Sequence, residues 1–263
     1  MGVSVLMPSY NRPHLLGQVI AEFLAQDFGG AMEIIVLEDS GIWGNATIEG
    51  DGWRIVSTTS RYKSVGAKRN ALVGLAKYEY LVTADDDDTY FPWHVSAAIA
   101  ALETCCYAQP RQAFEWDSPA DLGRYWVVSP SVLEKMQGDI RLNAREALDI
   151  CYGGQWSFRK QELVEAGGYP EDIGNGDDTQ LCRRLLMKYG NSADTITENH
   201  PDPSYIYSRQ MSGSWHASEL GPGTAPLQQL ATHPRENPED LTIELPPWYS
   251  TVAIPQHVKP RKW

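Results

Sequence analysis

Four consecutive carboxylates, Asp85-Asp86-Asp87-Asp88, are the densest chemical feature of the sequence. At this spacing they repel one another, which either raises some of their pKa values or calls for a cation. A charge run usually ends up as a solvated loop. This one directly follows the apolar stretch Tyr80-Leu81-Val82-Thr83-Ala84 and precedes Thr89-Tyr90-Phe91-Pro92, which ties it to the end of a strand. A hard divalent cation with oxygen ligands would remove the repulsion and could hold a pyrophosphate. A second acidic pair, Asp177-Asp178, follows Gly174-Asn175-Gly176 and opens a helical stretch, where the helix dipole favours carboxylates and capping is one role for them. Asp39, in Glu38-Asp39-Ser40-Gly41, is placed for turn chemistry. Lys68 and Arg69 are neighbours on a predicted helix and point about 100° apart, so one is expected to face a site and the other solvent.

The elements that position these groups alternate over the first 90 residues. Val3–Met7 is an apolar run ended by Pro8 and reads as a buried parallel strand. Leu15, Leu16, Val19, Ile20, Phe23 and Leu24 have helical spacing, with Pro13 in the first turn. Glu33–Leu37 and the weaker Trp53–Ser57 read as strands, Val65–Lys77 as a helix, and Tyr78–Thr83 as the strand that runs into the aspartates. A β-α-β-α-β series implies a mostly parallel sheet flanked by helices, with ligands at the carboxyl ends of the strands. Asp39 and Asp85–Asp88 both fall at such ends. Helical stretches are predicted at 92–102, between Gly153 and Gly168, and between Gly176 and Tyr189. Trp116, Tyr125 and Trp126 suggest strands and an acceptor-side surface within 103–150. Residues 219–263 hold many prolines and little periodicity, and read as an extended tail that wraps the domain or reaches a partner subunit, giving a possible route to an oligomer.

Composition narrows the function classes. With 263 residues, 42% of them hydrophobic, the chain can bury one substantial α/β core. The formal net charge of −12 disfavours generic binding to nucleic acid or anionic membranes. Cys105, Cys106, Cys151 and Cys182 form no Cys-x-x-Cys pair, which weakens zinc and thioredoxin-like readings. No apolar run has the length of a membrane span and no signal-peptide pattern is present, so a cytoplasmic protein, of a bacterial or virus-infected cell, is expected.

Four segments in order carry a resemblance: Pro8-Ser9-Tyr10-Asn11-Arg12, Glu33–Ser40, Gly66-Ala67-Lys68-Arg69-Asn70 and Tyr80–Asp88. Together with the later Gly176-Asp177-Asp178-Thr179-Gln180-Leu181-Cys182-Arg183-Arg184-Leu185, they resemble the motifs of family 2 inverting glycosyltransferases. Each motif alone is weak; their order and spacing make the resemblance specific. It implies a GT-A fold, a Rossmann-like nucleotide-binding sheet, over residues 1–218. The nucleotide-sugar half would span 1–92 and the acceptor and catalytic half 93–218, with 219–263 as a C-terminal extension. It implies a nucleotide-sugar donor, a UDP-sugar first, and Mn²⁺ or Mg²⁺ as cofactor. By the same resemblance Asp87 holds the metal and Asp85 or Asp86 the ribose. Asp39 meets the nucleotide base, and Pro8, Tyr10, Arg12 and Arg69 line the nucleotide pocket. Asp178, with Asp177 as the alternative, is the catalytic base. His216 is a candidate extra metal ligand and Arg209 a candidate diphosphate contact. Gln155 and Trp156 stand at the expected acceptor side, where Trp156 either stacks on a sugar ring or belongs to the core.

The chemistry so implied is a single displacement with inversion, in which a carboxylate takes the acceptor hydroxyl's proton as it attacks. Glycans, metabolites and hydroxymethylated bases of viral DNA all remain open as acceptors. Two other readings compete. Asp85-x-Asp87-x-Thr89 matches the nucleophile motif of haloacid-dehalogenase-like phosphohydrolases, but leaves the first 80 residues unexplained. A nucleotide-sugar-binding module without turnover is the non-enzymatic alternative; the presence of both Asp87 and Asp178 argues against it.

Overall fold

The computed structural model describes residues 1–110, 112–117, 122–127, 156–173, 177–189 and 204–209. Among them, seven strands form one mixed sheet. Its centre is parallel: β1 (Gly2–Ser9) lies between β2 (Ala31–Glu38) and β5 (Tyr80–Thr83), and β4 (Trp53–Ser57) follows β2. β3 (Ala46–Gly50) closes one edge antiparallel to β4. On the other side β10 (Ser157–Arg159) runs antiparallel to β5 and to β7 (Tyr107–Ala108). A second, smaller sheet holds β6 (Thr89–Tyr90), β11 (Tyr205–Arg209), β8 (Gln112–Asp117) and β9 (Leu122–Val127), in that order.

The period-2 alternation of the central strands divides the core in two. Val3, Val5, Met7, Ile34, Val36 and Val82 face one side; Leu6, Ile35, Leu37 and Leu81 face the other. The first side is covered by α1 (Pro13–Leu24), through Leu16, Val19, Ile20 and Phe23, and by α3 (His94–Leu102). The second is covered by α2 (Val65–Leu75), α4 (Lys160–Glu165) and α5 (Asp177–Tyr189), through Leu72, Val73, Leu163, Leu181 and Leu185. The result is the helix–sheet–helix layering that the strand–helix alternation implies.

Three helix starts carry local signals. Pro13 occupies the first turn of α1, where its missing N–H costs nothing. Ser64 caps α2, its hydroxyl accepting the Ala67 N–H at 3.0 Å. Asp177 and Asp178 sit in the first turn of α5, against the positive end of the helix dipole.

In the seven-stranded sheet the structure differs from expectation at two places. β3 went unread, although Asp51-Gly52, with Gly52 at φ +75°, makes the β3–β4 hairpin turn. The helix predicted between Gly153 and Gly168 begins only at Lys160. Ser157–Arg159 is drawn into the sheet, where it pairs with both β5 and β7, and this ladder outweighs local helical preference.

Candidate active site

The carboxyl ends of β1, β2 and β5 meet the N-terminal turns of α2 and α5. The acidic run leaves β5 and is folded inward rather than solvated. The Asp85 N–H donates to the Tyr90 hydroxyl at 2.7 Å. Asp86 accepts from Ser9 Oγ and from Arg12 Nη1, both at 2.6 Å. Asp87 lies 2.8 Å from the same Arg12 nitrogen, and Asp85 lies 3.5 Å from Arg69 Nη2. The chain therefore supplies part of the positive charge that four adjacent carboxylates require. A deficit remains at Asp87: burial first, then Asp86 and Asp85, push its carboxyl up to about 7 against the opposing pull of Arg12. Side-chain exposure rises from 5% at Asp86 to 16% at Asp87 and 29% at Asp85, so the last two form the open edge of the run.

Behind this edge Lys68 and Arg69 face two different carboxylates. Lys68 Nζ lies 2.5 Å from Asp39 Oδ1 and donates to the Ser9 carbonyl at 2.6 Å, with the side chains of Lys68 and Asp39 1% and 0% exposed. The other Asp39 oxygen accepts the Tyr62 N–H at 2.9 Å. Arg69 donates to Asp177 at 2.8 Å while reaching Asp85, so one guanidinium joins the β5 end to the start of α5. Burial opposes its charge, but Asp177 and Asp85 outweigh that and raise its pKa. The expectation that one of these two neighbours faces solvent is corrected. Both are buried, because the α2 N-terminus is enclosed between the strand ends and the 168–172 loop.

That enclosure is built by the same short motif. A Cβ on Gly66 would lie 2.0 Å from the Pro170 carbonyl oxygen, so only glycine lets α2 approach this loop. Asn70 clasps the loop backbone, accepting the Tyr169 N–H at 2.8 Å and donating to the Tyr169 carbonyl at 2.9 Å. Glu38, fully buried at the end of β2, accepts the Asn11 and Ser40 N–H groups at 3.0 and 2.9 Å and fixes the turns after β1 and β2. Asn11 has φ +54°, a conformation asparagine tolerates.

The sequence pattern of glycosyl transferase family 2 matches residues 4–165, which run from within β1 to the end of α4 and include the groups at the ends of β1, β2 and β5, while the 168–172 loop and α5 follow it. The chain belongs to glycosyl transferase family 2. No curated protein matches it in sequence. Among solved structures, S. aureus TarS 1–349 is similar with a TM-score of 0.56 at 15% identity, over 79% of this chain and 60% of that one. The same protein in complex with UDP-GlcNAc gives 0.54 at 15% identity, over 81% and 60%. The mannosyltransferase PcManGT from Pyrobaculum calidifontis, in complex with GDP-Man and Mn²⁺, gives 0.52 at 18% identity, over 83% and 59%. At these identities the likeness is one of fold, and it matches the expected GT-A architecture. The chain spans about 60% of the length of TarS 1–349.

Within this family 2 domain the expected residues divide into groups. Asp39, Arg69, Asp85, Asp86, Asp87, Asp177 and Arg12 are linked by the contacts above, and Asp178 follows Asp177 at the half-buried start of α5. Pro8 ends β1, and Tyr10 lies half-buried just beyond it with the Arg61 guanidinium 4.4 Å above its ring. Trp156 requires a correction. It is 1% exposed and its ring lies 5.8 Å from both Tyr107 and Phe158, so it is a core residue between β5 and β7, not a surface on which a sugar could stack. Gln155, His216, the tail 219–263 and the side chain of Arg209 lie outside the described residues.

Among the described residues no three His, Cys, Asp or Glu side chains converge on one point as a complete metal cage. The donors nevertheless fit a hard cation. Asp87 and Asp85 present carboxylate oxygens at the open edge, and Asp87 shares Arg12 with Asp86. Asp87 would be the principal ligand, with Asp85 beside it and ligand oxygens completing the shell. Glu38, Asn70 and Gly66 were not singled out from sequence; Gly66 and Asn70 stood inside a recognised motif, but their partner loop lies about a hundred residues away.

Proposed function

We propose that this chain transfers a sugar from a nucleotide sugar to an acceptor hydroxyl, with inversion and with a divalent cation held at Asp87. One observation supports this most directly: Arg69 bridges Asp85 and Asp177, so the acidic strand end and the carboxylates of α5 share one site. A displacement needs both groups within reach of one sugar carbon.

In this reading Asp39, its side chain buried against Lys68 and the Tyr62 N–H, shapes the base end of the nucleotide pocket from beneath, and Asp85 or Asp86 meets the ribose. Asp86 is already engaged by Ser9 and Arg12, so Asp85 is the more available carboxylate for a ribose hydroxyl. A bound Mn²⁺ or Mg²⁺ supplies charge stabilisation for the departing diphosphate. Asp177 pairs with Arg69, and Asp178, beside it in the first turn of α5, is the base that accepts the acceptor proton in this reading. The fold is shared with TarS, determined with UDP-GlcNAc, and PcManGT, determined with GDP-Man and Mn²⁺, so UDP- and GDP-sugars are the donors to test first.

The expected result is release of nucleoside diphosphate from one such donor in the presence of Mn²⁺, with an α-linked donor giving a β-configured product by NMR. Retention of configuration would remove the single-displacement mechanism. Phosphate release from a simple phosphate ester without any nucleotide would favour the phosphohydrolase alternative. No described helix is long and apolar enough to cross a membrane.

A further inference from the structure

The buried pair of Lys68 and Asp39 lies beneath the end of β1, and two more accessible side chains stand by it. Tyr10, half-buried just after β1, has its ring centroid 6.0 Å from Lys68 Nζ. Arg61, on the loop between β4 and α2, is exposed and lies over that ring, its guanidinium carbon 4.4 Å from the centroid. The backbone of this loop is fixed on both sides of Arg61. The Thr58 N–H donates to the Glu38 carbonyl, the Thr59 N–H to Asn45 Oδ1 and the Tyr62 N–H to Asp39 Oδ2, each at 2.9 Å. Ser64 then caps α2. The main chain therefore delivers Arg61 to the end of β1, while the long exposed side chain keeps its rotamer freedom.

This arrangement suits a flat ligand. An exposed cation–π contact is weak, so the guanidinium is not locked onto Tyr10. Carbon atoms in contact lie about 3.5 Å apart, so a planar ring held between Tyr10 and the guanidinium needs about 7 Å between the two. Rotation of the Arg61 side chain alone can open the present gap that far, with the loop in place. Its position also separates this side chain from the acidic edge. Arg12 and Arg69 are the guanidiniums that reach Asp85, Asp86 and Asp87. Arg61 stands next to the Tyr62–Asp39 bond. A planar, delocalised guanidinium stacks on aromatic faces in a way that an ammonium does not.

Resting on the nucleotide-sugar reading, we propose that Arg61 is a nucleobase-binding residue. Its guanidinium lifts from Tyr10, the base enters between them, and Arg61 closes over the outer face of the base. The contact is made to a ring face, so it holds the nucleotide independently of the cation at Asp87.

The test is calorimetry of UDP and GDP with Mn²⁺ on the wild type, Arg61→Ala and Arg61→Lys, beside melting temperatures without nucleotide. The wild type identifies which nucleotide binds. Arg61→Ala is expected to weaken that binding roughly three- to tenfold, the worth of a cation–π stack that becomes partly desolvated. Arg61→Lys should be weakened nearly as much, because it keeps the charge and loses the plane. Melting temperatures should stay near wild type, since the residue is exposed. Wild-type affinity in Arg61→Lys with a loss in Arg61→Ala would make Arg61 a point charge on the phosphates and overturn the inference. Unchanged affinity in Arg61→Ala would also overturn it. Tighter binding by Arg61→Ala would show that Arg61 only obstructs Tyr10, and a clear fall in melting temperature would show a structural contact; either overturns it. A wild type that binds neither nucleotide would overturn the nucleotide-sugar reading itself, and this inference with it.

Discussion

Asp178→Asn is expected to lower sugar transfer by roughly 10²–10⁴-fold, the usual worth of a positioned general base, while leaving donor binding and melting temperature near wild type. The geometry separates these effects. Arg69 holds Asp177 at 2.8 Å and reaches Asp85, so the bridge between β5 and α5 runs through Asp177 and stays in place when Asp178 is neutralised. Asparagine also serves well at a helix N-terminus, so the start of α5 loses little. Asp177→Asn behaves differently. It removes a charged partner from a buried guanidinium, and its cost appears in stability and nucleotide affinity as well as in rate. Steady-state transfer rates, donor calorimetry and thermal melts on both variants distinguish the two carboxylates. An Asp178→Asn enzyme with near wild-type turnover would reduce that residue to a cap and move the base role to Asp177.

Lys68→Met should cost about 3–5 kcal/mol of folding stability, because it leaves Asp39 charged and buried with its partner gone. The pair is enclosed as fully as any in the described residues: the two side chains are 1% and 0% exposed. Burial pulls the ammonium pKa down, while Asp39, and more weakly Asp86 and Glu38, favour its charged form. Methionine fills similar space but offers no charge to Asp39 and no donor to the Ser9 carbonyl. For a domain of this size the loss corresponds to a melting temperature lower by roughly 10 °C. Adding Asp39→Asn should restore part of it, since asparagine keeps an acceptor for the Tyr62 N–H without the stranded charge. Urea titrations of the two single variants and the double variant give the coupling. A single-variant cost below about 1 kcal/mol would mean that the pair behaves like one in solvent.

What the sequence discloses follows from how local each signal is. The central strands and α1 are legible because their apolar periodicities are strong and uninterrupted, and the parallel order follows from the alternation alone. β10 is not legible: Ser157-Phe158-Arg159 is too short to show a period, and its partners, β5 and β7, lie about 50 to 75 residues away in sequence. The site shows the same division. The acidic run and the Lys68-Arg69 pair stand out as residue types, and their place at strand ends follows from the fold class. Their partners do not follow. Helical geometry alone puts one of Lys68 and Arg69 in solvent, and only the loop at 168–172, docked through Gly66 and Asn70, encloses both. Trp156 misled for a related reason. An aromatic beside a predicted helix suits a sugar platform, but once Ser157–Arg159 joins the sheet, the ring is carried into the core between Tyr107 and Phe158.

The central claim, that these strand ends bind a nucleotide diphosphate through a cation at Asp87, is tested most directly by calorimetric titration of UDP and GDP into wild type and Asp87→Asn, each with Mn²⁺ and with chelator. The account predicts that the wild type binds at least one of the two nucleotides with Mn²⁺, and that chelator and Asp87→Asn each weaken this binding at least tenfold, without adding to one another. Equal affinity in Mn²⁺ and chelator, or an Asp87→Asn protein that still responds fully to Mn²⁺, would contradict it.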